Sequence, residues 1–379
     1  MPSLAKHIET IIYEPQSQGS FPVLSFALHK LSTIYSQLMR LREQLYLHNW
    51  LKQNRLSCKV ISIGNITVGG TGKTPMTLYI ARMLHELGYR VVIISRGYKG
   101  KNENQGCMVS DGKTILVRPE ISGDEPYLMA LRMPNIPVFV GKNRYQIGCQ
   151  AVSLCNPDII ILDDAFQHIQ LFRDLDIVLL DATYPFGNGN VLPRGSLREP
   201  VSALNRAHAI ILTRSEEANS NQLQCTLTQI KHIQPCVPVF ISSHQPYVAA
   251  HIRSDVSTHA DDISLFNSIQ LSFLKHKNVF VFSGIAKPQA FRSMLENLSC
   301  VIQGHLDFPD HYAYHEKDVE IICQKANEYQ VDFLITTEKD YVKFPNSIRW
   351  PKDIIVMGVQ ISIDQANTTE LQKIIQRIN

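Results

Sequence analysis

An α/β fold organised around a parallel sheet is what this sequence predicts, and three observations carry it. Short, strongly apolar runs recur along the chain at Arg90–Ser95, Asp158–Leu162, Ile177–Leu180 and Ala209–Leu212. Helix-like stretches alternate with them, for example Met76–Leu87 and 143–154. The first apolar run, from Val60, passes directly into a glycine-rich loop and then a helix. Strands buried on both faces and separated by helices indicate parallel pairing with crossover helices.

In chain order, residues 21–52 come first. Phe21, Leu24, Phe26, Leu28, Leu31, Ile34, Tyr35, Leu38 and Leu41 form a broad apolar face, with Lys30, Arg40, Arg42, Lys52 and Arg55 adding positive charge. That pattern suits an amphipathic helix lying in a membrane interface, and periodicity alone equally suits a helix packed on the protein's own core. Gly106–Val117 reads as a hairpin turned at Asp111-Gly112, and Pro137–Val140 and Val237–Ile241 as further strands. The polar stretch 249–276 reads as a linker or insertion. A second α/β set then follows, with strands at Val279–Ser283, Phe333–Thr336 and Ile354–Val359 and helices at Pro288–Leu298, Glu316–Tyr329 and from Asp364. The expected division is 1–55 for the N-terminal helical region, 56–247 for the first α/β domain and 248–379 for a smaller second one.

The string Val60-Ile-Ser-Ile-Gly-Asn-Ile-Thr-Val-Gly-Gly-Thr-Gly-Lys-Thr-Pro75 is the most informative. Strand, glycine loop, then Lys-Thr opening a helix is the arrangement of a P-loop NTPase-type sheet. In such a loop, here Thr67, Val68, Gly69, Gly70, Thr71 and Gly72, backbone N–H groups converge on phosphate oxygens and the helix N-terminus adds partial positive charge. Lys73 can then reach the β- and γ-phosphates, and the Thr74 hydroxyl can ligate Mg²⁺. Thr67 stands where the strict pattern has glycine. Asp163 and Asp164 end an apolar strand about 90 residues downstream, a spacing at which a carboxylate holds Mg²⁺ across from the loop; Asp163 is the expected metal residue and Asp164 its companion. Neither Thr213-Arg-Ser-Glu216 nor Thr337-Glu-Lys-Asp340 makes a guanine clamp, which favours ATP over GTP.

Bulk composition narrows the partners. The 379-residue chain is 44% apolar and 19% charged, with a net charge of +3 and no basic run interleaved with aromatics, so nucleic acid is not expected. Its eight cysteines show neither a C-x-x-C pair nor a zinc spacing and suit reduced thiols. No secretory pattern and no apolar run long enough to span a bilayer are present.

Further clusters stand in a fixed order: Ser95-Arg-Gly-Tyr98, Gly123-Asp-Glu-Pro126, Asp163-Asp-Ala-Phe-Gln-His168, Leu192-Pro-Arg-Gly-Ser-Leu-Arg-Glu-Pro200, Asp307-Phe-Pro-Asp-His-Tyr312 and Thr336-Thr-Glu-Lys-Asp340. With the P-loop they resemble the tetraacyldisaccharide 4'-kinase family, the lipid A kinases of Gram-negative bacteria, over roughly 20–345. In that family threonine at the first loop position is usual. The resemblance implies transfer of the γ-phosphate of ATP, with Mg²⁺, to the 4'-hydroxyl of tetraacyldisaccharide 1-phosphate, giving the lipid A precursor lipid IVA. It also implies a peripheral enzyme, expected to be a monomer, at the cytoplasmic face of the bacterial inner membrane.

Residue by residue, the resemblance supports Asp124 as general base with His311 as its counterpart. The expectation is that the two lie in different domains and meet only on closure. Lys73 and Arg198 stabilise transferring charge, and Glu199 assists Mg²⁺ beside Thr74 and Asp163. Arg144, His168 and Glu125 are the expected substrate contacts. One departure is Lys99, where many relatives carry glycine after the tyrosine.

Overall fold

Every apolar run singled out above is a strand. The protein is described here by a computed structural model covering residues 22–254, 270–344 and 350–378 together with Ile12. The chain gathers into two units: residues 1–94, 143–244 and 361–379 form the first, and 95–142 with 245–360 the second.

In the first unit the strands are β1 (Lys59–Asn65), β2 (Val91–Ser95), β5 (Ile159–Asp163), β6 (Leu175–Asp181), β7 (Ala209–Thr213) and β8 (Val239–Ile252), β2 and β8 continuing into the second unit. They lie side by side in the order β8-β7-β6-β1-β5-β2, with parallel pairing throughout. β5 and β7 are buried along their whole length, as the Ile/Leu runs require. Helices Lys73–Glu86, Arg144–Cys155 and Ser220–Ile233 alternate with these strands. The Asn143 side chain caps the second and Asn219 caps the third, each accepting a backbone N–H from the first turn.

In the second unit, β9 (Asn278–Ser283), β10 (Val301–Asp307), β11 (Phe333–Thr337) and β12 (Ile354–Ile363) lie in the order β10-β9-β11-β12, then β8. Pairing along β10-β9-β11-β12 is parallel. Short strands β3 (Cys107–Ser110) and β4 (Val138–Val140) pair antiparallel. The expected hairpin at Asp111-Gly112 is a tight turn, with the Asp111 carboxylate accepting the N–H groups of Lys113 and Thr114, but the main partner of β3 is β4.

The expected cut near residue 247 falls close to the 244/245 junction, yet each unit also takes in a distant piece of chain. Tyr127 and Leu128 share one apolar cluster with Phe280, Phe282 and Leu334, and Arg132 pairs with the buried Glu338 at 2.7 Å, which draws 95–142 into the second unit. Tyr79 and Thr368 hydroxyls lie 2.9 Å apart, tying the closing helix Gln365–Gln376 to the first. The stretch read as a linker from 249 begins instead inside β8, where Ala249 and Ala250 are buried; 255–269, like Phe21, lie outside the described residues.

The N-terminal helix Pro22–Leu47 turns an unusual face inward. Ser25, Leu28 and Ser32 are buried, whereas Phe26, Leu31, Ile34, Leu38 and Leu41 are exposed. Polar bonds seat it: Ser32 Oγ donates to Val191 O at 2.7 Å, Tyr35 Oη donates to Arg198 O at 3.1 Å, and Glu43 pairs with Arg206. No helix among the described residues is long and apolar enough to cross a membrane.

Candidate active site

The glycine loop leaves the C-terminal end of β1 and is fastened on several sides within the first unit. Asn65 Nδ2 donates to Thr71 Oγ1 at 2.9 Å, Val68 N to Ser196 O at 2.7 Å and Thr213 Oγ1 to Thr71 O at 3.1 Å. Arg214 bonds the Gly70 carbonyl and pairs with Asp181. Gly72 has φ +80°, which glycine enters without strain, and a Cβ there would also displace the His244 ring, 2.5 Å away. The helix Lys73–Glu86 opens without a side-chain cap and without an acid in its first turn. Its free N–H groups and dipole therefore remain available to an anion.

Thr77, one helical turn beyond Thr74, donates to Asp163 Oδ1 at 3.1 Å, which brings the β5 carboxylate to the first turns of this helix. A threonine hydroxyl and an aspartate are hard oxygen donors of the kind Mg²⁺ takes together with water and phosphate oxygens. Among the described residues no three His, Cys, Asp or Glu side chains form a ready metal cluster, so phosphate would have to complete such a site. Asp164, in the left-handed region at φ +48°, pairs with Arg198 at 2.8 Å and lies 3.7 Å from Lys73 Nζ. Burial pushes its carboxyl up, but Lys73, Arg198 and Arg144 outweigh that and hold it below the ordinary range.

Three other expected residues lie in this unit. Arg144, buried at the start of its helix, points Nη2 at Asp163 O from 3.5 Å. His168 is pushed down to about 4 by burial, then by Arg144 and Arg173, so it is neutral at pH 7. Glu199 is buried in an ion pair with Arg206, which also holds Glu43.

Asp124, Glu125 and His311 belong to the second unit. Gly123, at φ +87°, precedes the helix Asp124–Arg132, and a Cβ there would meet Tyr98 O at 2.9 Å. This tight passage fixes where Asp124 emerges. His311, held at φ +60° in a region that few non-glycine residues adopt, turns Nδ1 to within 3.1 Å of Asp124 Oδ2. The expected division of this pair between domains is thus corrected: both residues sit in one unit and are already in contact, because 95–142 packs with the later sequence.

Two lysines that motif reading passed over lie beside them. Lys339 Nζ is 3.3 Å from His311 Nε2 and 3.6 Å from Glu125, and Lys343 Nζ is 3.8 Å from Asp124 Oδ2. Lys339 stood inside the quoted Thr-Thr-Glu-Lys-Asp string, which was the available signal; Lys343 had none. For Arg214 the only hint was its place just past β7.

The family model described as tetraacyldisaccharide-1-P 4'-kinase matches residues 24–378. A tetraacyldisaccharide 4'-kinase of Desulfatibacillum aliphaticivorans is 39% identical over 370 residues, covering 98% of this chain and 97% of the relative. That of Syntrophus aciditrophicus is 41% identical over 323 residues, covering 83% of each. A crystal structure described as the "apo" form of LpxK from Aquifex aeolicus in complex with ATP aligns with a TM-score of 0.70 at 30% identity, covering 94% of this chain and 99% of that one. With the family match spanning nearly all of its length, the chain belongs to the tetraacyldisaccharide-1-P 4'-kinase family.

Proposed function

We propose that this protein transfers the γ-phosphate of ATP to the 4'-hydroxyl of tetraacyldisaccharide 1-phosphate, forming lipid IVA in lipid A biosynthesis. The observation that carries the chemistry is the Asp124–His311 contact, a carboxylate oriented by an imidazole. Transfer forms a bond from the 4'-oxygen to the γ-phosphorus and breaks the bond from that phosphorus to the β–γ bridging oxygen. The hydroxyl proton passes to Asp124, and ADP leaves with the electron pair. Lys73 lies at the loop to neutralise the bridging and γ-oxygens, and Arg198, beside Asp164, adds a second cation. Thr74 and Asp163 are the residues that would hold Mg²⁺, which supplies charge neutralisation on the phosphates when bound. Arg144, His168 and Glu125 remain the proposed contacts to the sugar or its 1-phosphate.

The enzyme works on a lipid from the cytoplasmic face of the inner membrane, as a peripheral monomer. Support for membrane contact comes from the N-terminal helix, which buries Ser25, Leu28 and Ser32 and exposes Phe26, Leu31, Ile34, Leu38 and Leu41. The test is transfer of γ-³²P from ATP to purified tetraacyldisaccharide 1-phosphate in mixed micelles, with GTP run alongside. A labelled 4'-phosphorylated lipid is expected. Nucleotide hydrolysis without labelled lipid would remove the assignment.

A further inference from the structure

Each nitrogen of the His311 ring has one polar partner within hydrogen-bond distance in the second unit, and the Asp310 carboxylate lies farther off, 3.9 Å from Nε2. Nδ1 lies 3.1 Å from Asp124 Oδ2, and Nε2 lies 3.3 Å from Lys339 Nζ. An ammonium has three donors and no lone pair, so it can serve a ring nitrogen only where that nitrogen is bare. A neutral imidazole carries one N–H, which is thereby assigned to Nδ1 and directed at Asp124. The opposite tautomer would set an N–H against the nearer ammonium, with Asp310 at 3.9 Å too far to accept it, and a lone pair against the Asp124 carboxylate.

Lys339 is itself well fixed. It lies on the helical turn Glu338–Tyr341, where the Thr337 hydroxyl accepts the Asp340 N–H. Its Nζ has Asp310 at 3.4 Å and Glu125 at 3.6 Å, so two carboxylates hold it beside the ring. Lys343, buried and 3.0 Å from Asp340, addresses the same Asp124 oxygen as the imidazole does. Only the imidazole is within hydrogen-bond distance of Oδ2; the ammonium adds its charge from 3.8 Å. The edge of Tyr98 closes the ring environment, its centroid 5.6 Å from that of His311.

We infer that Lys339 is a positioning residue that locks His311 in the Nδ1–H tautomer, so that the imidazole anchors Asp124 Oδ2 and leaves Oδ1 to receive the acceptor's proton. This rests on reading Asp124 as the base. The lysine touches neither the sugar hydroxyl nor the phosphate in this scheme; it acts through the ring. It is also a part of the Thr-Thr-Glu-Lys-Asp string to which the sequence alone assigns no chemistry.

The test is the ¹⁵N chemical-shift pattern of the His311 ring in the full-length, histidine-labelled wild-type protein, assigned by loss of its signals in His311→Gln. A protonated Nδ1 and a bare Nε2 are expected; the reverse pattern would overturn the inference without any variant at Lys339. Lys339→Met should shift the ring toward the Nε2–H form and lower kcat by about tenfold to a hundredfold with KM for ATP unchanged. Lys339→Arg, which keeps a donor, should retain the Nδ1–H form. A Lys339→Met enzyme with reduced kcat but an unaltered tautomer would also overturn it, since the lysine would then act by another route. Failure of the base assignment is read separately: Asp124→Asn that still turns over removes the base, whereas the ring spectrum does not depend on turnover.

Discussion

Lys73 Nζ stands 3.7 Å from the Asp164 carboxylate and 3.5 Å from Gly69 O, so the lysine of the phosphate loop is held at the loop by groups of its own unit. A phosphate oxygen arriving there would meet a cation already in place, with no long side chain left to order. Lys73→Ala is expected to lower kcat by about a thousandfold or more, since β/γ charge neutralisation is lost. Stability should hardly move, because Asp164 keeps Arg198 and a partly exposed pair is worth under about 1 kcal/mol. Initial rates and a thermal melt on the same preparation check both, and wild-type turnover would take the P-loop out of the mechanism.

Asp124 lies outside the unit that carries the loop, and its contacts are His311 and Lys343. Asp124→Ala is therefore expected to lose about 10²- to 10⁴-fold in kcat while ATP binding is largely kept. Titration calorimetry with a non-hydrolysable ATP analogue separates the two effects. If affinity for the nucleotide fell in parallel with turnover, Asp124 would be a nucleotide ligand rather than the base.

The sequence made the first unit legible because its signals are local. A buried strand, a glycine loop and Lys73-Thr74 lie within one short stretch, and Ile159–Asp163 announces both its burial and its terminal acids. Pairing of Asp124 with His311 spans 187 residues, and motif order cannot say which unit each will join. Contacts such as Arg132–Glu338 decide that, and they leave no periodic trace. Glu199 shows the same limit: the sequence sets it beside Arg198, and its buried ion pair with Arg206 is not legible there. The inward serines of the N-terminal helix were equally hidden, because apolar spacing predicts a sticky face without saying what it faces.

His168 and His244 supply a pH dependence whose sign is fixed. Burial, then Arg144 and Arg173 at His168 and Arg214 at His244, pushes each down to about 4 from 6.5. Between those values the unfolded chain binds more protons than the folded one, so stability falls as pH drops from 6.5 toward 4. Each histidine contributes up to about 3 kcal/mol. Asp164 and Asp181, held below 3.8, add their losses only under that pH. Urea denaturation at pH 7 and pH 4.5 should show a marked drop in the wild type and a smaller one in a His168→Gln/His244→Gln double variant. Equal drops would mean the two rings are not the source.

Lys99 takes φ +63°, the left-handed conformation that glycine enters without strain. The loop expected after Tyr98 therefore forms, with a lysine carrying the backbone strain. An L-residue pays about 1–2 kcal/mol for that region, and glycine gives back about 0.5–1 kcal/mol through its freer unfolded chain. Lys99→Gly is thus expected to stabilise the protein by up to about 1 kcal/mol, while Lys99→Ala, which keeps the strain, should not. Denaturant midpoints of the three proteins decide it.

The N-terminal helix gives the prediction that bears on where the enzyme works. Leu31, Ile34 and Leu38 are each 54% exposed and Leu41 is 56% exposed, while Ser25 and Ser32 face the protein. Leu28 is the one large apolar side chain of the helix that is fully turned inward, whereas a helix folded only for its own core would bury most of them. Burying one leucine or isoleucine side chain in an acyl boundary is worth about 1.5–3 kcal/mol at most, so even two lost contacts should weaken binding by well over tenfold. Ile34→Glu/Leu38→Glu is therefore expected to abolish flotation with phosphatidylethanolamine/phosphatidylglycerol vesicles while leaving the melting temperature unchanged, because neither side chain is buried in the protein. Transfer to a short-chain soluble acceptor should survive, and transfer to the full lipid in vesicles should fall. If flotation persisted in the double variant, the helix would not be the anchor, and its exposed apolar face would need a protein partner instead.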